Sequence, residues 1–315
     1  MNAAPRQVAA TAPIAAPPLF LSLVRSLRPK QWIKNAAVFM AAVFTINLYW
    51  RPGDLASLLA VFGRSLAAFV LFCMLASATY LINDVADIER DRAHPRKRFR
   101  PIAAGLVPVR LALALAAGLV LLALPFAFLL SREFGLVTTI YFASQFLYSY
   151  VLKHQVILDV FTIAAGFALR VVGGAFAIDV PVSPWLYVCT ILGALFLGLC
   201  KRRHELLLLE DGATNHRKTL EAYTPQLLDQ MIAVVTSSTV IAYSLYSFSA
   251  ENLPKNHAMM LSIPFVLYGL FRYLYLVYQR GLGGSPDELL LRDKPLLLDV
   301  ALWIGTSLLV LYFAR

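Results

Sequence analysis

Apolar residues run in long blocks along this chain, without the apolar stripe and polar face of a helix that packs on a soluble core. A helix that crosses a bilayer needs about 20 mostly apolar residues. Nine blocks reach or approach that length: 32–50, 57–82, 108–130, 135–152, 156–178, 184–200, 228–248, 258–279 and 295–313. The pattern predicts an all-α integral membrane protein with nine transmembrane helices, forming a single domain over 19–315. Ahead of it, residues 1–18 are rich in Ala and Pro and are expected to form a disordered tail. Residues 19–30, "LFLSLVRSLRPK", read as a short amphipathic helix lying on the membrane surface. The first apolar block follows this basic flank, which suits an uncleaved span and not a signal peptide.

Composition agrees with the pattern. Of the 315 residues, 59% are hydrophobic and 15% charged, and the mean hydropathy is +0.69; soluble domains are roughly half apolar. The net charge of +10 would suit nucleic acid as a partner, but its distribution points to a lipid bilayer. Twenty-one Lys and Arg lie in or beside the N-terminal segment and the loops after the second, fourth, sixth and eighth blocks. The other side carries four: Arg51, Arg132, Lys255 and Arg315. Lys and Arg collect on the cytoplasmic side, so the N-terminus is expected inside and the C-terminus outside, at a bacterial plasma (inner) membrane. Cys73, Cys189 and Cys200 all fall in apolar blocks and have no metal-ligand spacing.

One stretch breaks the apolar texture. In "NDVADIERDRAHPRKRFRPIAAG", Asn83–Gly105, ten of the seventeen residues from Asp84 to Arg100 are charged. If the second apolar helix continues into it, Asp84, Asp87 and Asp91 share a face at i, i+3 and i+7, with Asn83 close to the same face. Carboxylates so placed repel one another. Mg²⁺ resolves the conflict, because it takes oxygen ligands and sits between one or two carboxylates and substrate phosphates. Arg92, His94, Arg96, Lys97, Arg98 and Arg100 follow at once. Acids for a metal beside bases for phosphates describe a diphosphate site, with Asn83, Asp84, Asp87 and Asp91 as metal and catalytic candidates.

At these residues the chain resembles the UbiA superfamily of intramembrane prenyltransferases, whose N-D-x-x-D-x-x-x-D motif stands here as Asn83, Asp84, Asp87 and Asp91. The resemblance implies helices around a central cavity that opens to the membrane. It also implies a second aspartate-rich cluster after the sixth helix, where this chain instead reads "LCKRRHELLLLE" with Lys201, Arg202 and Arg203. The stretches "RPKQWIKN", "YSYVLKHQVILD", "AYTPQLLDQM" and "ELLLRDKPLLLD" are similar to the decaprenyl-phosphate phosphoribosyltransferase branch. That branch implies transfer of phosphoribose from 5-phosphoribosyl 1-diphosphate (PRPP) to a polyprenyl phosphate, toward lipid-linked arabinose.

The acceptor distinguishes the alternatives. An aromatic acceptor must lose a proton. A phosphate monoester is already mostly dianionic near neutral pH and needs only cations to place it, which a basic second cluster supplies. The expected donor-binding residues are Lys34, Tyr80, Lys97, Arg98, Arg100, Lys201 and Arg202. Lys153 and Arg170 are the expected lipid-phosphate ligands; Arg170 lies in mid-span, where a charge is costly and faces a cavity. Arg64 and Arg272 read as structural or snorkelling cations. Gly166, Gly173 and Gly174 allow close packing or leave room for a lipid chain. The competing readings are an aromatic prenyltransferase and an organic-anion transporter. The latter predicts two similar halves, and no second copy of Asn83–Gly105 exists. The oligomeric state stays open, a homo-oligomer included.

Overall fold

The computed structural model describes residues 17–95, 97–210 and 218–314. The expected tail lies outside the described residues except for Pro17 and Pro18; Arg96 and His216 lie outside them too. The order of helices is α1 (Leu19–Ser26), a 3₁₀ run (Pro29–Phe39), α2 (Met40–Phe44), α3 (Leu55–Ala86), α4 (Ile88–Ala93), α5 (Val109–Leu130), α6 (Arg132–Tyr150), α7 (Leu158–Ala177), α8 (Pro184–Glu210), α9 (Pro225–Ser249), α10 (Ile263–Arg280), α11 (Pro286–Arg292) and α12 (Lys294–Phe313).

Local chemistry starts and stops these helices. Ser131, Thr224 and Asp293 accept hydrogen bonds from the backbone N–H groups of Phe134, Leu227 and Leu296, capping α6, α9 and α12. Proline opens α9, α10, α11 and α12, where its missing N–H costs nothing. Gly281, with φ +63°, ends α10 in the left-handed conformation that glycine adopts freely.

Among the described residues, seven helices are long and apolar enough to cross a bilayer: α3, α5, α7, α8, α9, α10 with the turn before it, and α12. The chain is a multi-pass membrane protein. The nine expected spans are not all matched by such helices. Block 32–50 folds as the 3₁₀ run and the five-residue α2. Its Trp32 and Asn35 are engaged in this irregular segment, with the Trp32 indole donating to Ser77 and the Asn35 amide to Cys73. Block 135–152 folds as α6, but Thr138, Thr139, Ser144, Gln145 and Ser149 dilute its apolarity.

Each long helix packs on its successor from α5 through α10, α3 packs against α5, α6 and α7, and α10 meets α12. The 3₁₀ run lies against α3 and α7. That contact depends on Gly174, where a Cβ would stand 2.0 Å from the carbonyl oxygen of Val38. Gly173 likewise abuts the Phe72 ring. Close packing, against backbone at Gly174 and against aromatic rings at Gly173, is what these two glycines provide. Arg64 is structural, as expected: its guanidinium donates to the carbonyl oxygens of Ala177 and Leu130, which end α7 and α5. Arg272 makes two hydrogen bonds to Asp293.

Candidate active site

The acidic motif straddles a helix break. α3 ends at Ala86, Asp87 takes φ −101° and ψ 12°, and α4 resumes at Ile88. The i to i+4 bonds carry across it, from Asp87 N–H to Asn83 and from Asp91 N–H to Asp87. The turn at Asp87 nevertheless rotates the motif. Asp87 accepts two hydrogen bonds from Lys153, at 2.8 and 3.0 Å. Asp84 and Asp91 are buried and share the Nη1 of Arg100, at 3.1 and 2.6 Å. Arg28 closes on Asp84 as well, and Arg90 lies 3.8 Å from Asp87.

Asp87 is therefore held by a different cation from the one that Asp84 and Asp91 share. Among the described residues, no three His, Cys, Asp or Glu side chains stand together as a metal-ligand group. Buried carboxylates need counter-charges, and Arg28, Arg100 and Lys153 divide the motif among them. A pair of carboxylates still converges: one oxygen of Asp84 and one of Asp91 meet a single nitrogen. Two carboxylates around one cation position is a donor set that fits Mg²⁺, whose remaining ligands are commonly water and phosphate.

The other expected donor ligands surround this point unevenly. Tyr80 lies one turn before Asn83, with the Arg28 guanidinium 4.9 Å above its ring. Lys34 is half-buried on the 3₁₀ run. Lys97 and Arg98 are exposed, Arg98 over the Phe99 ring. Lys97, Arg98 and Arg100 lie on the loop between α4 and α5.

Arg170 occupies a second buried polar site. It is 7% exposed and donates to Asn35 at 2.6 Å, to the Gly166 carbonyl at 2.7 Å and to the Tyr141 hydroxyl at 2.8 Å. Its guanidinium also lies 4.7 Å from the Tyr141 ring centre, a cation–π geometry. No carboxylate pairs with it among the described residues.

The basic cluster on α8 differs from the open anion site expected of it. Arg202 is 2% exposed and is held by Asp159, at 2.6 Å, and by Glu205. Arg203 meets Asp229 at 2.5 Å and stacks 4.0 Å over Tyr278; Asp229 and Tyr278 line a groove of about 480 Å³ between α9 and α10. A buried guanidinium demands carboxylate partners, and these supply them. Lys201 is half-buried on the same helix.

The segment joining α6 to α7 links the two clusters. Lys153 meets the acidic motif, and Asp159, six residues on, meets Arg202. Sequence reasoning did not single out Arg28, Tyr141, Asp159 or Tyr223 for the site. Arg28 sits in a left-handed conformation before Pro29. An Arg directly ahead of a helix-starting proline was the available signal.

Comparison with known proteins agrees with this architecture. The family model described as "UbiA prenyltransferase family" matches residues 36–285. The decaprenyl-phosphate phosphoribosyltransferase of Mycolicibacterium smegmatis is 37% identical over 96% of this chain and 96% of its own. The protein of that name from Mycobacterium tuberculosis is 35% identical over 91% and 93%. Among solved structures, a UbiA homolog from Archaeoglobus fulgidus bound to GPP and Mg²⁺ superposes with a TM-score of 0.69. It shares 19% identity and covers 92% of this chain and 99% of its own. This last likeness is one of fold. On the extent of both matches, the family model and the full-length relatives, the chain belongs to the UbiA prenyltransferase family.

Proposed function

We propose that this protein transfers 5-phosphoribose from PRPP to a polyprenyl phosphate such as decaprenyl phosphate, releasing diphosphate. The observation that carries the reading is the ion pair between Lys153 and Asp87. It ties a cation suited to an anionic acceptor directly to the acidic motif suited to the donor. The names of the full-length relatives support the same substrates.

Asp84 and Asp91 would hold Mg²⁺, with Asn83 and Asp87 beside it; bound there, the ion would draw negative charge off the diphosphate leaving group. Arg100, Lys97, Arg98, Lys34 and Tyr80 hold the donor's phosphates and ribose. Lys201 binds the donor from α8, and Arg202 orders that side through Asp159. Lys153 and Arg170 hold the lipid phosphate. The anomeric C–O bond to diphosphate breaks and its electron pair leaves with the diphosphate. A lipid-phosphate oxygen supplies the pair for the new C–O bond. That oxygen carries no proton near neutral pH, so the residues around it position and stabilise charge; none need take a proton. The Lys and Arg distribution supports nine membrane crossings in a bacterial inner membrane, with the N-terminus and the site cytoplasmic and the C-terminus outside.

The test is a donor and acceptor screen on purified protein with Mg²⁺, reading pyrophosphate release and the mass of the lipid product. A lipid heavier by one ribose 5-phosphate is expected. Consumption of a prenyl diphosphate with alkylation of an aromatic acid, and no turnover of PRPP, would replace this reading by aromatic prenyl transfer.

A further inference from the structure

The segment that carries Lys153 is backbone-strained, and something must hold it. Ile157, the residue before α7, has φ +70° and ψ −48°. Leu158 N–H bonds back to the Val156 carbonyl at 2.8 Å, the i to i+2 bond of the rare and strained form of γ-turn. A β-branched residue at positive φ is an outlier that persists only where its surroundings impose it. Burial of its own side chain is a weak restraint, since Ile157 is 42% exposed. Its N–H, however, donates to the hydroxyl of Tyr223 at 2.6 Å. That hydroxyl donates in turn to Asp159 at 3.1 Å, whose other oxygen accepts from Arg202. Tyr223 is buried, and burial raises its pKa to about 12, so it keeps the proton it donates at neutral pH.

We infer that Tyr223 is a positioning residue: its hydroxyl pins the γ-turn at Ile157 and thereby sets Lys153 on Asp87. Lys153 lies four residues before the turn, in a single 3₁₀ turn, Leu152–His154. A relaxed Ile157 would redirect the chain between Lys153 and α7, and the ammonium group would leave the acidic motif. Tyr223 lies just before α9 and Arg202 on α8, so these two residues, joined through Asp159, govern the acceptor side of the site without touching substrate. The inference rests on the reading of Lys153 as an acceptor ligand.

The test is steady-state kinetics on the full-length protein with PRPP and polyprenyl phosphate. Tyr223→Phe keeps the ring and removes one hydroxyl. It is expected to lower kcat/KM for the lipid phosphate about tenfold, as for the loss of one hydrogen bond, with the KM for PRPP little changed. Two further readouts separate positioning from simple packing. Adding Ile157→Gly should restore much of the loss, because glycine takes positive φ without strain. Combining Tyr223→Phe with Lys153→Ala should cost no more than Lys153→Ala alone. Multiplicative losses and no rescue by Ile157→Gly would overturn the inference. If Tyr223→Phe folds too poorly to assay, the double variant with Ile157→Gly decides: recovered folding and turnover support the latch, and continued failure overturns it. Full activity of Lys153→Ala would instead overturn the proposed site and this inference together. A crippled Lys153→Ala beside a normal Tyr223→Phe would overturn the inference alone.

Discussion

Lys153 reaches both carboxylate oxygens of Asp87 across 66 residues of sequence, at 2.8 and 3.0 Å, with the lysine side chain 5% exposed. Lys153→Ala and Arg170→Ala are expected to raise the apparent KM for lipid phosphate far more than that for PRPP. Each removes a charge-assisted contact of about 1.5–3 kcal/mol, roughly ten- to a hundredfold. Equal effects on the two substrates, read by initial rates, would assign both residues to scaffolding.

Asp87→Ala and Asn83→Ala are expected to abolish turnover while leaving the melting temperature in detergent close to that of the parent protein. Asp87 is partly exposed, so truncating it opens to water the Lys153 ammonium group, which Asp87 covers in the parent protein. Arg100→Ala is a different case. It strips a shared counter-charge from buried Asp84 and Asp91, and breaking such a pair costs about 3–5 kcal/mol. Melting should separate the variants: near-parental for the first two, markedly lowered for the third.

Gly174→Ala should cripple the fold. A methyl group there would sit 2.0 Å from the Val38 carbonyl oxygen, and backbone cannot yield as a side chain can. Overpacking typically costs about 1–3 kcal/mol and occasionally more. Gly193→Ala, with nothing within 4 Å of the added atom, is the matched control and should melt like the parent. Similar melting for the two variants would remove Gly174 from its role in seating the 3₁₀ run.

Asp293 supplies an acid-side test. Its hydrogen bonds from Arg272 hold the carboxyl below the usual carboxylate range. A carboxyl depressed in the folded state contributes stability above its unfolded pKa, near 3.9. That contribution is lost as pH falls through the folded value. Melting from pH 7 downward should therefore fall less steeply below about pH 4 in Asp293→Asn than in the parent. Identical slopes would show that the Arg272 pair does not contribute.

The apolar blocks announced a membrane bundle because the bilayer imposes a length and a composition that can be read one residue at a time. The acidic motif was legible for the same reason: charge concentrated in an apolar chain has few structural uses. Block 32–50 gave no sign of its 3₁₀ run because hydropathy is blind to the backbone. Asn35 and Trp32 count as modest interruptions in a window average, yet their side-chain bonds to Cys73 and Ser77 go with an irregular segment. The pairings of the basic cluster on α8 were hidden in another way. Lys201, Arg202 and Arg203 stand adjacent in sequence, but successive helical positions point about 100° apart, and each Arg found its own carboxylate, Asp159 or Asp229, far along the chain. Pairings at that separation need the tertiary structure. So did Tyr223, whose partner is a backbone N–H that no side-chain pattern reveals.

The acidic motif is electrically settled before any ligand arrives, with Arg28, Arg100 and Lys153 already spent on Asp84, Asp91 and Asp87. Such a site behaves like a small ion exchanger. A lone anion that claims the three cations strands three acids, and a lone metal ion that claims the acids strands the cations. A metal and an anion arriving as one salt swap partners with the whole cluster and leave no charge unmatched. Calorimetric titration should accordingly find PRPP and Mg²⁺ each binding weakly alone and tightly together, and independent binding of the two would show that the pairs do not have to open.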